Sequence, residues 1–166
     1  DKLQIIRTLD LLVIDEISMV RSDVLDAIDD TLRRIRRSHK PFGGVQLLMI
    51  GDIEQLPPVV KDEEWLLLKE YYETPYFFSS LALKRSNYLC VELTKVYRQN
   101  DENFVNILNK IRDKSISSTE LETLNKRLLT PDQNERLAPI NICTHNSVAN
   151  QINRNKLEEK KKKKYV

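Results

Sequence analysis

Two short apolar runs constrain this chain more than anything else in it. They are Leu11–Ile14 (LLVI) and Val45–Ile50 (VQLLMI), the first closed by Asp15-Glu16 and the second by Gly51-Asp52. Apolar runs of that length, the second broken only by Gln46, read as strands buried in a parallel sheet, the first from Asp10 to Ile14. Between them, Val24, Ile28, Leu32 and Ile35 recur at helical spacing, with Asp29, Asp30, Arg33, Arg34, Arg36 and Arg37 on other faces. Ser22 is placed to cap that helix, which should run to about Arg37. Strand, helix and strand in this order make a βαβ unit, so the fold class is α/β around a parallel sheet.

The strand ends raise the functional question. Acids are rarely buried without a partner, and the crevice beyond the carboxyl ends of the strands is where open α/β sheets bind ligands. If the ligand is a nucleoside triphosphate, Asp15 can hold a magnesium ion and Glu16 can polarise the attacking water. The plain alternative is a strand that simply exits to solvent. Gln55, just past the second strand, both donates and accepts, which suits a group that senses a terminal phosphate. Pro57-Pro58 stiffens the segment that leaves it.

Downstream, the pattern predicts a helix over Asp62–Tyr72, a short extended piece at Tyr76–Ser80 (YFFSS) and a strand over Tyr88–Leu93. Asp101 can cap a helix carrying Phe104, Ile107, Leu108 and Ile111, and Ser118 or Thr119 can open the next. Thr130–Pro139 reads as a polar loop, followed by a strand at Ile140–Cys143 and a helix from Asn146 to about Leu157.

Composition excludes several classes. No apolar run approaches the ~20 residues of a membrane helix, and Asp1-Lys2 begins nothing like a signal peptide. The expected setting is cytoplasmic in a bacterium, nuclear or mitochondrial in a eukaryote. Cys90 and Cys143 sit in apolar runs without partners at ligand spacing, and His39 and His145 are isolated, so buried thiols are expected and zinc is not. Five of the 27 basic residues are the consecutive lysines 160–164, leaving 22 against 25 acidic residues, a net −3. Global charge therefore does not decide whether the chain binds nucleic acid.

Taken together, VIDEISM (13–19), KPFGGVQLLMIGDIEQLPPV (40–59) and LTKVYRQ (93–99) resemble the superfamily 1 DNA helicases of the PIF family, with bacterial RecD-like helicases as close relatives. In order they match that family's Walker B motif, motif III and motif IV, and residues 22–44 look like its signature segment. The resemblance runs from about Leu11 to Arg112. It implies an incomplete RecA-like (P-loop NTPase) motor spanning parts of two RecA-like domains. Residues 1–86 would be the second half of the first, 87–158 the start of the second and 159–166 a lysine-rich tail.

It further implies ATP and Mg2+ as cofactors, with Asp15 on the metal, Glu16 activating water and Gln55 coupling phosphate state to DNA contact. Arg98 would be the arginine finger from the second motor domain. The implied partners of the full-length protein are single-stranded DNA and duplex or structured DNA. The implied work is 5′ to 3′ translocation and unwinding in repair, recombination or telomere maintenance. A phosphate loop, G-x-x-x-x-G-K-[ST], is absent, because the only glycines are Gly43, Gly44 and Gly51. The loop is expected upstream of Asp1, and the chain alone is expected to be inactive. Two other readings stand: a different P-loop ATPase, RNA-directed or transposon-associated, and a non-catalytic DNA-binding or interaction module.

Overall fold

The structure is a computed structural model that describes residues 2–128 and 140–162. It forms two compact units, Asp1–Val96 and Tyr97–Val166.

In the first unit, α1 (Lys2–Thr8) leads into β1 (Leu11–Ile14), a 3-10 turn (Ile17–Met19), α2 (Ser22–Arg36), a turn at Pro41–Gly44 and β2 (Gln46–Met49). Then come α3 (Asp62–Leu68), a 3-10 turn (Phe77–Ser79) and α4 (Leu81–Lys84). The two strands pair in parallel, Leu11 opposite Gln46 and Ile14 opposite Met49, as a βαβ crossover requires. Leu25 and Leu32 of α2 meet Phe42, Val45, Ala82 and Leu83 in the core, with Leu12, Ile14, Leu47 and Met49 packed against them.

Four expectations change here. The strands are covered on one face only: Leu11, Val13 and Leu48 on the other face are 43–49% exposed, because no described element packs there. The buried stripe of α2 is Leu25 and Leu32 with Ser22 and Asp29, while Val24 is exposed. Ser22 is the first helical residue and Arg21 the cap, with Ser22 N–H donating to Pro75 O at 2.9 Å. The segment Tyr76–Ser80 is a bridge from Tyr76 to Arg21 followed by a 3-10 turn, not an extended piece.

The acids of α2 do structural work. Asp26 accepts from Ser80 Oγ (2.6 Å), Ala82 N (2.8 Å), Leu81 N (3.0 Å) and Tyr72 Oη (2.8 Å), capping α4 from a distance in sequence. Burial opposes its charge, but those four donors outweigh burial and hold the carboxyl below its ordinary value. Burial, and then the Asp26 carboxylate, push the Tyr72 phenol up. Arg21 forks between Asp23 (2.8 Å) and Glu64 (2.9 Å), tying α3 to the start of α2. Gly43 is obligatory where the chain turns into β2: its φ is +64° and an added Cβ would stand 2.8 Å from Leu32 O.

In the second unit, α5 (Glu102–Arg112) is capped by Asp101 at 3.0 Å from Phe104 N, as expected. The next helix, α6 (Ser118–Asn125), is capped by Ser117 in a capping box with Glu120, one residue earlier than anticipated. A long helix, α7 (Asn146–Lys162), follows. Neither expected downstream strand forms. Residues 88–93 and 140–143 have no regular structure, with Leu89 at 88% and Ile142 at 99% exposure. A strand is completed by its neighbours, and among the described residues neither segment is paired with another. Cys90 is accordingly exposed and Cys143 only half-buried, not the buried thiols expected. The Thr130–Pro139 loop and lysines 163 and 164 lie outside the described residues. No described helix is long and apolar enough to cross a membrane.

Candidate active site

Because β1 and β2 are parallel neighbours in register, their carboxyl ends emerge side by side. Ile50 N–H donates to Ile14 O (2.9 Å), and Ile17 N–H donates to Ile50 O (2.9 Å), so the turn after β1 is stitched to the end of β2. That turn is tight. Glu16 takes a left-handed conformation, φ 52° and ψ 44°, which costs a residue with a Cβ about 1 kcal/mol or more. Its N–H is held by Asp15 Oδ1 at 2.9 Å. Both carboxylates are exposed, whereas Ile17 and Ser18 behind them are buried, and Ser18 Oγ has no hydrogen-bond partner among the described residues.

Gly51 is where the two turns touch. A Cβ there would lie 2.9 Å from both Ile17 N and Ile17 Cγ2 and 3.2 Å from Ser18 N. Only glycine lets the β2 exit pass this close to the backbone under Glu16. Beyond it, Asp52 organises the next turn, accepting from Glu54 N (3.1 Å) and from Gln55 Nε2 (3.1 Å). Gln55 is exposed and held at one end by Asp52.

Three of the four residues singled out from sequence, Asp15, Glu16 and Gln55, thus lie on the two turns that leave adjacent strand ends. Arg98 lies in the other compact unit, exposed and outside any helix or strand. Sequence reasoning gave no role to Asp52. Its signal was the Asp-x-x-Gln spacing, since an aspartate at the start of a turn accepts from the N–H two residues on.

Among the described residues no cluster of three or more His, Cys, Asp or Glu could cage an ion. An exposed carboxylate such as that of Asp15 would fit Mg2+, which keeps most of its water and completes its shell with substrate phosphates.

Comparison with known proteins identifies the family. Residues 1–122 match the family model described as PIF1-like helicase. The human ATP-dependent DNA helicase PIF1 is 36% identical over 149 residues, covering 89% of this chain and 22% of its own length. The Saccharomyces cerevisiae ATP-dependent DNA helicase RRM3 is 38% identical over 132 residues, 80% of this chain and 17% of its own. A crystal structure of Pif1 helicase from Bacteroides in complex with ADP-AlF3 and single-stranded DNA aligns with a TM-score of 0.84 at 43% identity. It covers 99% of this chain and 38% of that one. The chain therefore spans about a fifth of the curated relatives' length.

Proposed function

The chain belongs to the PIF1-like helicase family, and on that premise we propose that it is the middle of an ATP-dependent DNA helicase motor. Residues 1–86 close the first RecA-like motor domain, 87–158 open the second, and 159–166 are a tail. The parent protein couples ATP hydrolysis to 5′ to 3′ movement on single-stranded DNA and opens duplex or structured DNA. Support comes from relatives named as ATP-dependent DNA helicases and from a neighbour crystallised with ADP-AlF3 and single-stranded DNA.

The observation that carries this reading is the Ile17 N–H to Ile50 O tie, with Gly51 packed beneath it. It joins the turn that bears Asp15 and Glu16 to the segment that bears Gln55. Mg2+ held at Asp15 would offset negative charge on the ATP phosphates. Glu16, presented to solvent by its left-handed backbone, orients and polarises the attacking water. Gln55, steadied by Asp52, reads the terminal phosphate, and a change there reaches the next segment through the stiff Pro57-Pro58 exit. Arg98 supplies charge to the transferring phosphoryl group from the second motor domain.

The 166 residues contain no phosphate loop, so this chain on its own hydrolyses no ATP. The test is DNA-stimulated ATP hydrolysis by the gene's longer product beside its Glu16→Gln variant. Stimulation by single-stranded DNA that the variant loses supports the motor. Absence of hydrolysis in a folded longer product would move the reading to a non-catalytic module.

A further inference from the structure

A second polar site lies at the other end of the sheet. Asp29 of α2 is 3% exposed, and its Oδ1 is taken by the Phe42 N–H at 2.6 Å. Its Oδ2 faces two guanidinium groups, Arg33 Nη1 at 3.5 Å and Arg85 Nη2 at 3.8 Å. Those separations hold an ion pair but exceed the 2.7–3.2 Å of an N–H···O bond. Arg33 Nε is buried and has no acceptor among the described residues. One carboxylate thus positions two arginines without consuming their donors.

The contrast with Arg36, one turn along α2, is direct. Its Nε donates to Gly43 O at 3.0 Å and its Nη1 to the carbonyls of Ile6, Arg7 and Leu9, so that guanidinium is a closing cap for α1. Arg33 and Arg85 have no such duty. They open, with His39, onto a cavity of about 200 Å3. That is smaller than the ~300–1,000 Å3 of pockets that enclose whole small ligands, and it suits one oxyanion group of something larger. Around it the chain is basic. Arg33, Arg34, Arg36, Arg37, His39 and Lys40 fall within eight residues, and no acid stands between Thr31 and Gly51.

We propose that this cavity is a phosphate-binding pocket, in which the Arg33 and Arg85 guanidinium groups take one backbone phosphate of a single-stranded DNA. Guanidinium forks match phosphate oxygens in planar, paired hydrogen bonds. Two guanidiniums against one carboxylate leave a net positive charge to meet the phosphate, and the neighbouring basic run draws the flanking phosphates. The pocket lies near the amino end of β2, whereas Glu16 and Gln55 follow the carboxyl ends of the strands, so a strand bound here is not in the crevice of the proposed motor. The inference rests on the nucleic-acid reading above and adds a DNA contact that the hydrolytic site does not need.

The experiment measures anisotropy of a fluorescein-labelled oligothymidylate titrated with the 166-residue chain across a salt series. The wild type is set beside Arg85→Gln and the Arg33→Gln/Arg85→Gln double variant. Arg85 is 63% exposed, so its substitution leaves the fold intact, and circular dichroism of each variant verifies this. The expected result is about tenfold weaker binding for the double variant, with part of the loss in Arg85→Gln alone. The slope of log K against log salt should flatten by about 0.7, one phosphate's share on a single strand.

Oligothymidylate binding that neither variant alters overturns the pocket and leaves the motor reading untouched, because Glu16-dependent hydrolysis is read separately. No binding by the wild type overturns it as well. A third arm adds inorganic phosphate alone. Thermal protection by phosphate equal to that by the oligonucleotide, lost in the double variant, would make this a small-anion site and refute the DNA assignment.

Discussion

The two units are built on different physics. Among the described residues, seven buried apolar side chains, Ile17, Leu25, Leu32, Phe42, Val45, Ala82 and Leu83, belong to the first unit, and only Ile107 to the second. The first unit is a small core gripped by long-range polar knots at Asp26 and Asp29. The second is a set of helices held by local devices: the Asp101 cap, the Ser117–Glu120 box, the Lys110–Glu120 pair and Arg127, which lies 4.2 Å over Phe104 and bonds Asp101. Burial is worth kilocalories per side chain, whereas exposed pairs contribute a fraction of one and fade in salt. The proposed hydrolytic carboxylates sit on the unit that can hold a turn rigidly.

The sharpest way to break that comparison is a cavity in each unit. Leu25→Ala removes a side chain with no exposure at all and should cost the first unit about 2–5 kcal/mol, enough to open it at modest denaturant. Ile107→Ala in the second unit should cost less, about 2 kcal/mol or below, because no cluster closes around it. Amide hydrogen exchange resolved by peptide reads the two units separately. Equal losses would show that the second unit has a core of its own.

A smaller effect sharpens the comparison through pH. The Asp26 carboxyl is depressed below the ordinary 3.8 by its four donors, with burial opposing. A depressed acid adds stability that is present above its unfolded value and is lost as pH falls through the folded one. Protection of α4 and its contacts with α2 should therefore hold down to about pH 4 and then decline. Asp26→Ala should remove about 1–3 kcal/mol at neutral pH and abolish that acid-dependent step. A step that survives the substitution would assign the acid sensitivity elsewhere.

What could be read in the residues follows the same division. β1, β2 and α2 were legible because a largely apolar run and a 3.6-residue repeat are local signals, and Asp101 was legible as a cap by its place before a repeat. The exposed face of Leu11, Val13 and Leu48 was not, since a run that reads as buried on both sides says nothing of which neighbours are there. Residues 88–93 have a strand's composition, but strand formation depends on pairing. Asp29 read as an acid on an outer face of the helix and Asp26 carried no signal, because their partners lie as much as 56 residues away. The left-handed backbone of Glu16 has no local sign, as no glycine or asparagine marks it. Ser117 could have been found, because Ser-x-x-Glu is a capping-box spacing that Ser118 does not satisfy.

The smallest expected effect concerns α6, where one side chain serves both as a cap and as an ion-pair partner. Lys110, and then the backbone and hydroxyl of Ser117, hold the Glu120 carboxyl down to about 2 from an ordinary 4.5. The same sign rule applies: its contribution stands above pH 4.5 and is lost as pH falls toward about 2. Glu120→Gln keeps an acceptor for Ser117 N–H, so the box survives while the charge does not. If the second unit depends on ion pairing, the variant should lower helicity slightly at neutral pH and make it indifferent to salt. If capping matters more, the variant should match the parent chain at neutral pH, and both should be insensitive to salt. Either result is read against the first unit, where molar salt should change the protection of Leu25 and Leu32 little, because their burial is apolar and the Asp29 carboxylate beside them is itself buried.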